Sequence, residues 1–148
     1  MTDEERGWLV WGDAATGLLC AAARVPGLGC WVGYAGVPPG HQLHGIKDAT
    51  DLAVEAHGGL TYAGAWPPLV PQPADVPPDW WFYGFDCGHA GDDMPELAAE
   101  LLRRGFARHP LRFGVYRDLA YVRGECARLA AQLAALGAAW PDRERYRG

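Results

Sequence analysis

The sequence predicts an α+β fold: an antiparallel sheet of about four to five strands with two C-terminal helices packed on one face. Three observations predict it. The first half of the chain breaks into short strand-like runs punctuated by glycine and proline. Apolar residues recur at spacings of three and four only after Met94. The 148 residues are 49% hydrophobic and 21% charged, enough for one core and too few residues for two. The expectation is therefore a single domain over residues 1–148.

In chain order, residues 8–11 read as a short strand. Residues 16–24 and 30–34 flank VPGLG, whose Pro26-Gly27 pair marks a turn, so they form a β-hairpin. The Gly- and Pro-rich stretch 35–47 is loop. Residues 52–57 and 60–62 carry strand-like residues around Gly58-Gly59. Residues 67–78 hold half of the chain's 12 prolines, which excludes a central strand or a helix interior and predicts an extended surface loop. Residues 80–85, WWFYGF, are dense enough in aromatics to be a buried, central strand. A helix opens at Met94-Pro95 and stops at Gly105, with Glu96 and Glu100 near its start and Arg103 and Arg104 in its last turn. The second helix takes Asp118 as its N-cap. It repeats Leu119, Val122, Cys126, Leu129, Leu133 and Leu136, and it ends at Gly137. A polar tail follows from about residue 141.

The net charge of -5 is unevenly laid out. Residues 1–100 hold 14 acids against Arg6, Arg24 and Lys47, whereas residues 101–148 hold ten arginines against Asp118, Glu125, Asp142 and Glu144. That excludes a uniformly basic binder, so no extended nucleic-acid partner is expected. It also suggests two complementary surfaces of one domain. MTDEERGW lacks the apolar core of a signal peptide, and the run 18–23 is too short to cross a bilayer. The four cysteines form no CxxC pair and are expected as free thiols, in keeping with a cytoplasmic protein without a membrane partner.

Reactive side chains concentrate in DCGHAGDD, residues 86–93, at the end of the aromatic strand. His57, on its own glycine turn, is placed beside them. Asp86, His89 and His57 offer the mixed imidazole and carboxylate donors that suit zinc or manganese, with Asp92 as an outer partner or base. Those four residues are the candidate catalytic groups, and His57, Asp86 and His89 the candidate metal ligands. A bound ion would generate hydroxide for hydrolysis. In a second reading Cys87 is a nucleophile, but three neighbouring acids oppose its thiolate. In a third, the site captures a planar anionic ligand. Trp80 or Trp81 stacks on it, Cys87 lines the pocket, and Arg103, Arg104, Arg108, Arg112 or Arg117 meets a phosphate. In the plainest reading Asp92 or Asp93 caps the following helix, Asp86 makes an Asx-turn, and His89 is loop surface. The pair His41 and His44 lies on a loop and lacks the zincin pattern, so no metal is assigned there. Walker A, G-x-G-x-x-G and G-x-S-x-G patterns do not occur, which removes the main support for NTPase, dinucleotide and α/β-hydrolase readings.

GYAGVPPGHQLHG (33–45), HGGLTY (57–62), WWFYGFDCGHAGD (80–92) and YRDLAYVRGECARLAAQL (116–133) together resemble an uncharacterised family of small actinobacterial and bacteriophage proteins. The likeness spans about residues 33–133. Gln42 and Gly88 depart from the family pattern, where proline and alanine are more usual. The resemblance implies a cytosolic, phage-associated setting and no particular reaction. The resulting expectation is a protein that binds a small anionic, nucleotide-like molecule in a His/Asp/Trp pocket, with metal-assisted hydrolysis as its reaction if it is an enzyme. The alternative is a non-enzymatic interaction module that docks through the arginine-bearing C-terminal helix or the proline-rich loop.

Overall fold

The computed structural model describes residues 1–48 and 52–139. Its centre is a five-stranded antiparallel sheet. A single N-terminal turn, α1 (Asp3–Arg6), leads into β1 (Trp8–Gly12). Then come β2 (Leu19–Arg24), β3 (Trp31–Val37), β4 (Tyr62–Gly64) and β5 (Trp81–Asp86), in the spatial order β1-β2-β3-β5-β4. The predicted hairpin is β2–β3, with Ala22 opposite Gly33, and its turn carries Gly27 and Gly29 at positive φ. The aromatic strand β5 is buried and interior, as expected, paired with β3 on one side and β4 on the other. Every residue of β3 is buried, as befits a strand covered on both faces.

Alternation along the strands sorts two cores. Cys20, Ala22, Trp31, Ala35, Tyr83 and Phe85 face one side, where α3 (Leu119–Ala139) lays down Leu119, Val122, Cys126, Leu129 and Leu133. The match to the predicted apolar positions is close. Small strand residues let the helix approach: the space a Cβ would take at Gly33 is filled by the Phe85 ring and the Cys126 sulfur. Asp118 caps α3 as expected, its Oδ1 accepting from Tyr121 N at 2.8 Å. The helix does not stop at Gly137. A Cβ there would overlap the His41 ring, so this glycine serves close packing inside the helix rather than termination.

The other face holds Ala21, Ala23, Val32, Tyr34 and Phe82, and is closed by Trp66 and Val70. Trp66 lies edge-on to Phe82 and donates its indole N–H to Val70 O at 2.6 Å. The proline-rich stretch is a loop, as expected, but it is built on turns, with Val70 N donating to Pro67 O and Val76 N to Pro73 O, and its first residues are a lid: Pro67 and Val70 are buried. The first predicted helix, α2 (Pro95–Arg103), is present but contributes to neither core. It is pinned at the β2–β3 turn, where Glu96 N donates to Leu28 O at 3.0 Å.

Residues 52–57 are not a strand. Their apolar side chains Leu52, Val54 and Ala56 pack on the core, but their backbone is read by side chains of α3. The Gln132 amide accepts from Glu55 N at 2.7 Å and donates to Glu55 O at 2.8 Å, occupying the place of a neighbouring strand. The expected tail from about residue 141 lies outside the described residues. Among the described residues no helix is long and apolar enough to cross a membrane.

Candidate functional site

Three structural devices converge at the end of β5. The strand delivers Asp86, and a turn follows in which Asp92 N donates to His89 O at 3.0 Å. Next, β6 (Gly91–Asp92) pairs in parallel with β7 (Gly114–Val115), and Asp93 N donates to Val115 O. This ribbon requires glycine at position 114, because a side chain there would overlap the Gly91 backbone. The third device is the His57-Gly58-Gly59 turn, with both glycines at positive φ. A Cβ on Gly58 would overlap the His89 ring, so the bare glycine allows the two histidine-bearing segments to meet.

At the centre is Asp92, 2% exposed. His57 Nε2 stands 2.9 and 2.8 Å from its two carboxylate oxygens. Oδ2 also accepts from His89 N at 3.1 Å, and Oδ1 from Arg117 Nε at 3.2 Å. Burial pushes the Asp92 carboxyl up, but hydrogen bonds from His57, His89 N and Arg117 outweigh it and hold the group below the ordinary carboxylate range. On its far side His57 meets the Tyr121 hydroxyl, Nδ1 to Oη 2.7 Å. In the neutral tautomer that satisfies both contacts, Nε2 donates to Asp92 and Nδ1 accepts from the Tyr121 hydroxyl.

His89 is the exception in this well-paired network. Its Nδ1 is buried without a hydrogen-bond partner, although it lies 3.3 Å from Asp86 Oδ1 and 4.0 Å from Asp92 Oδ2. The 3.3 Å separation is close enough for charge attraction but misaligned for a hydrogen bond. One donor atom each from His57, His89 and Asp92 falls within 4.8 Å of the others, a spacing that could hold a metal ion. Asp86 is turned to a local task, accepting from Gly88 N at 3.0 Å in an Asx-turn.

The four central residues expected from the sequence therefore share one place, with Asp92 rather than Asp86 in the inner group. The ligand-binding residues expected alongside them do not. Trp81 opens β5 at the end opposite Asp86, about 16 Å away along the strand. Its indole donates to Ile46 O at 3.1 Å, and Trp80 precedes it, packed on both cores. Neither ring is a stacking platform for the cluster. Arg103 and Arg104 lie at the far end of α2, where both approach Glu100. Cys87 points into the core, 1% exposed. Burial, then Asp92, Cys30 and Asp86, push its thiol up to about 12 against a small opposing pull from Arg117, which removes the nucleophile reading. Neither acid caps α2: the N-cap is Met94 without a side-chain bond, and Asp93 Oδ1 accepts from Phe113 N. His41 and His44 serve the backbone, through Leu43 N and Asp79 O.

Tyr121 and Glu125 were not singled out by sequence, and Arg117 only as one of five arginines. Their signal is a polar stripe on α3 and its approach: positions 117, 121, 125, 128 and 132, at spacings of three and four. Glu125 accepts from His57 N at 3.2 Å and pairs with Arg128. Along this stripe runs an open cleft of about 340 Å³, walled by Glu55, His57, Tyr121, Glu125, Arg128 and Gln132.

No protein-family model matches the chain, and no curated protein or solved structure gives a match.

Proposed function

We propose that the cluster binds a divalent metal, zinc or manganese, through His57 Nε2, His89 Nδ1 and Asp92. In this reading the protein uses the metal to hydrolyse a small anionic molecule. The observation that carries it is the buried, unpartnered His89 Nδ1 beside two further donors. Such an atom costs free energy when left unpaired, about 1–3 kcal/mol, and metal coordination removes that cost. The ion would polarise the bond to be cleaved and lower the pKa of a bound water to about 7. The chain's residues do the rest. With Nε2 turned to the ion, His57 would carry its ring proton on Nδ1 and donate it to the Tyr121 oxygen, a contact that would fix the ring. Asp86, 3.3 Å from His89 Nδ1, is the carboxylate placed to take a proton from water. Arg117 offsets the charge of Asp92, so that a divalent ion bound beside Asp86 would leave the cluster net positive, which supports an anionic ligand. With both tryptophans at the far end of β5, the ligand is recognised by its charge and not by a stacked base.

Elemental analysis and zinc or manganese titration test this. The expected result is close to one equivalent per chain, weakened by at least about tenfold in His89→Ala, whose partly exposed ring makes it a mild change for the fold. Less than about a tenth of an equivalent after metal is supplied overturns it.

The direct 2.8 Å contact of His57 with Asp92 favours a second reading without metal. Asp92 would then orient His57, which exchanges protons with Tyr121 at the cleft. Turnover that survives a chelator but is lost in Tyr121→Phe selects this version.

A further inference from the structure

The connector between α2 and α3 carries a surface that the cluster does not use. Leu102, Phe106, Leu111, Phe113, Val115 and Tyr116 are all exposed, and among the described residues only Met1 and Leu69 join them as exposed large apolar side chains. Between Leu101 and Arg117 there is no acidic residue. Arg103 and Arg104 approach Glu100 and Arg117 holds Asp92, but Arg108 and Arg112 make no ion pair among the described residues. α2 buries only Ala98. Its apolar side instead walls a groove of about 220 Å³ with Pro95, Ala98, Ala99 and Leu102, and Pro110 and Leu111 form the opposite wall; Asp93, whose Oδ1 is engaged by Phe113 N, also lines it. An uncovered apolar groove, one wall of which is flanked along the chain by the unpaired Arg108 and Arg112, is how a binding surface differs from ordinary protein exterior.

We propose that this groove docks an acidic protein segment, whose aliphatic side chains enter between Leu102 and Leu111 while its carboxylates meet Arg108 and Arg112. Charge complementarity selects the sign of the partner, and the walls select its kind. The groove's own walls are aliphatic and proline and accept leucine or isoleucine, while the exposed rings of Phe106, Phe113 and Tyr116, the kind of plane on which bases stack, lie outside those walls. A nucleic acid or an anionic bilayer would also extend past this strip onto a body with 14 acids in its first 100 residues. A short peptide stays within about one Debye length, roughly 8–10 Å, of the arginines. This refines the interaction-module expectation: the docking surface is neither α3 nor the proline-rich loop.

The test uses the full chain and a fluorescein-labelled peptide of about 16 residues, with leucines three and four apart among aspartates and glutamates. Anisotropy is expected to show saturable binding. Arg108→Glu with Arg112→Glu should weaken it at least about tenfold. Leu111→Ser should do so by a similar factor, about tenfold, with the melting temperature and circular dichroism unchanged. Replacing the peptide's acids by lysines should abolish binding. Four results overturn the proposal: no saturation up to about 1 mM peptide, binding indifferent to the arginine reversal, tighter binding of oligouridine or phosphatidylserine vesicles than of the peptide, or a dimer that Leu111→Ser dissolves. The arginine reversal alters only exposed side chains, so it reads binding even if Leu111→Ser perturbs folding.

Discussion

At the start of β5, polar groups meet the backbone. The Trp81 indole donates to Ile46 O, and the Tyr83 hydroxyl donates to Leu43 O at 2.6 Å. At the other end, side chains meet side chains: His57 with Asp92 and Tyr121, Asp92 with Arg117, and His89 with no hydrogen-bond partner at Nδ1. Both ends are rich in aromatic or ionisable residues, so composition does not separate them. The difference lies in satisfaction. Backbone carbonyls fully employ the aromatic tips at one end, which is packing. The other end keeps an unspent donor or acceptor beside a carboxylate, which is where chemistry is available.

The sharpest test of that contrast is Tyr83→Ala. Removing this fully buried ring should cost about 3–5 kcal/mol in urea unfolding while leaving the metal stoichiometry of the folded fraction unchanged. A loss of metal binding there would show that the two ends are not separable. Asp92→Asn comes next, at about 2–3 kcal/mol, because it strips the acceptor from His57 and Arg117 in a buried setting. It should also abolish metal uptake. It has a pH signature in the metal-free protein. Because folding lowers the Asp92 pKa, its contribution is present above the unfolded value of about 4 and is lost as pH falls through the folded value. The wild type should therefore lose more stability below pH 4, roughly, than Asp92→Asn does.

Gly58→Ala should cost about 1–3 kcal/mol, since φ is +69° and the new methyl meets the His89 ring. Its distinguishing readout is the His89 imidazole NMR signal, which should shift while Trp81 fluorescence does not. The smallest effect is expected from Trp81→Phe, which removes one hydrogen bond to Ile46 O for about 1 kcal/mol. Metal titration of that variant should match the wild type, and any change would tie the tryptophan to the site after all.

Much of this fold was legible where signals are local. The hairpin turn, the α2 boundaries, the Asp118 cap and the apolar stripe of α3 depend on residues within a few positions of one another. Residues 52–57 misled because a run of apolar and β-forming residues states a need for burial and an extended backbone, not which partner satisfies it. Here Gln132 and Glu125 supply that partner from α3. Gly137 misled for a related reason, since glycine ends helices but also admits close neighbours, and His41 is such a neighbour. The charge halves meet less than their totals imply. Apart from the local Glu100 pairs, Arg117 with Asp92 is the ion pair that joins them among the described residues.

Pattern and composition were sufficient for an α+β domain with reactive groups at the end of β5, because periodicity, caps and turns act over short stretches of chain. They also brought His57, Asp86, His89 and Asp92 under one hypothesis. Which of these touch was decided by the tertiary structure. His57 reaches Asp92 across 35 positions and Tyr121 across 64, contacts set by how α3 and the β6–β7 ribbon pack. The same packing sent both tryptophans to the opposite end of the strand and Cys87 into the core. Side-chain direction over such separations depends on the whole arrangement of layers, and no local run of residues encodes it.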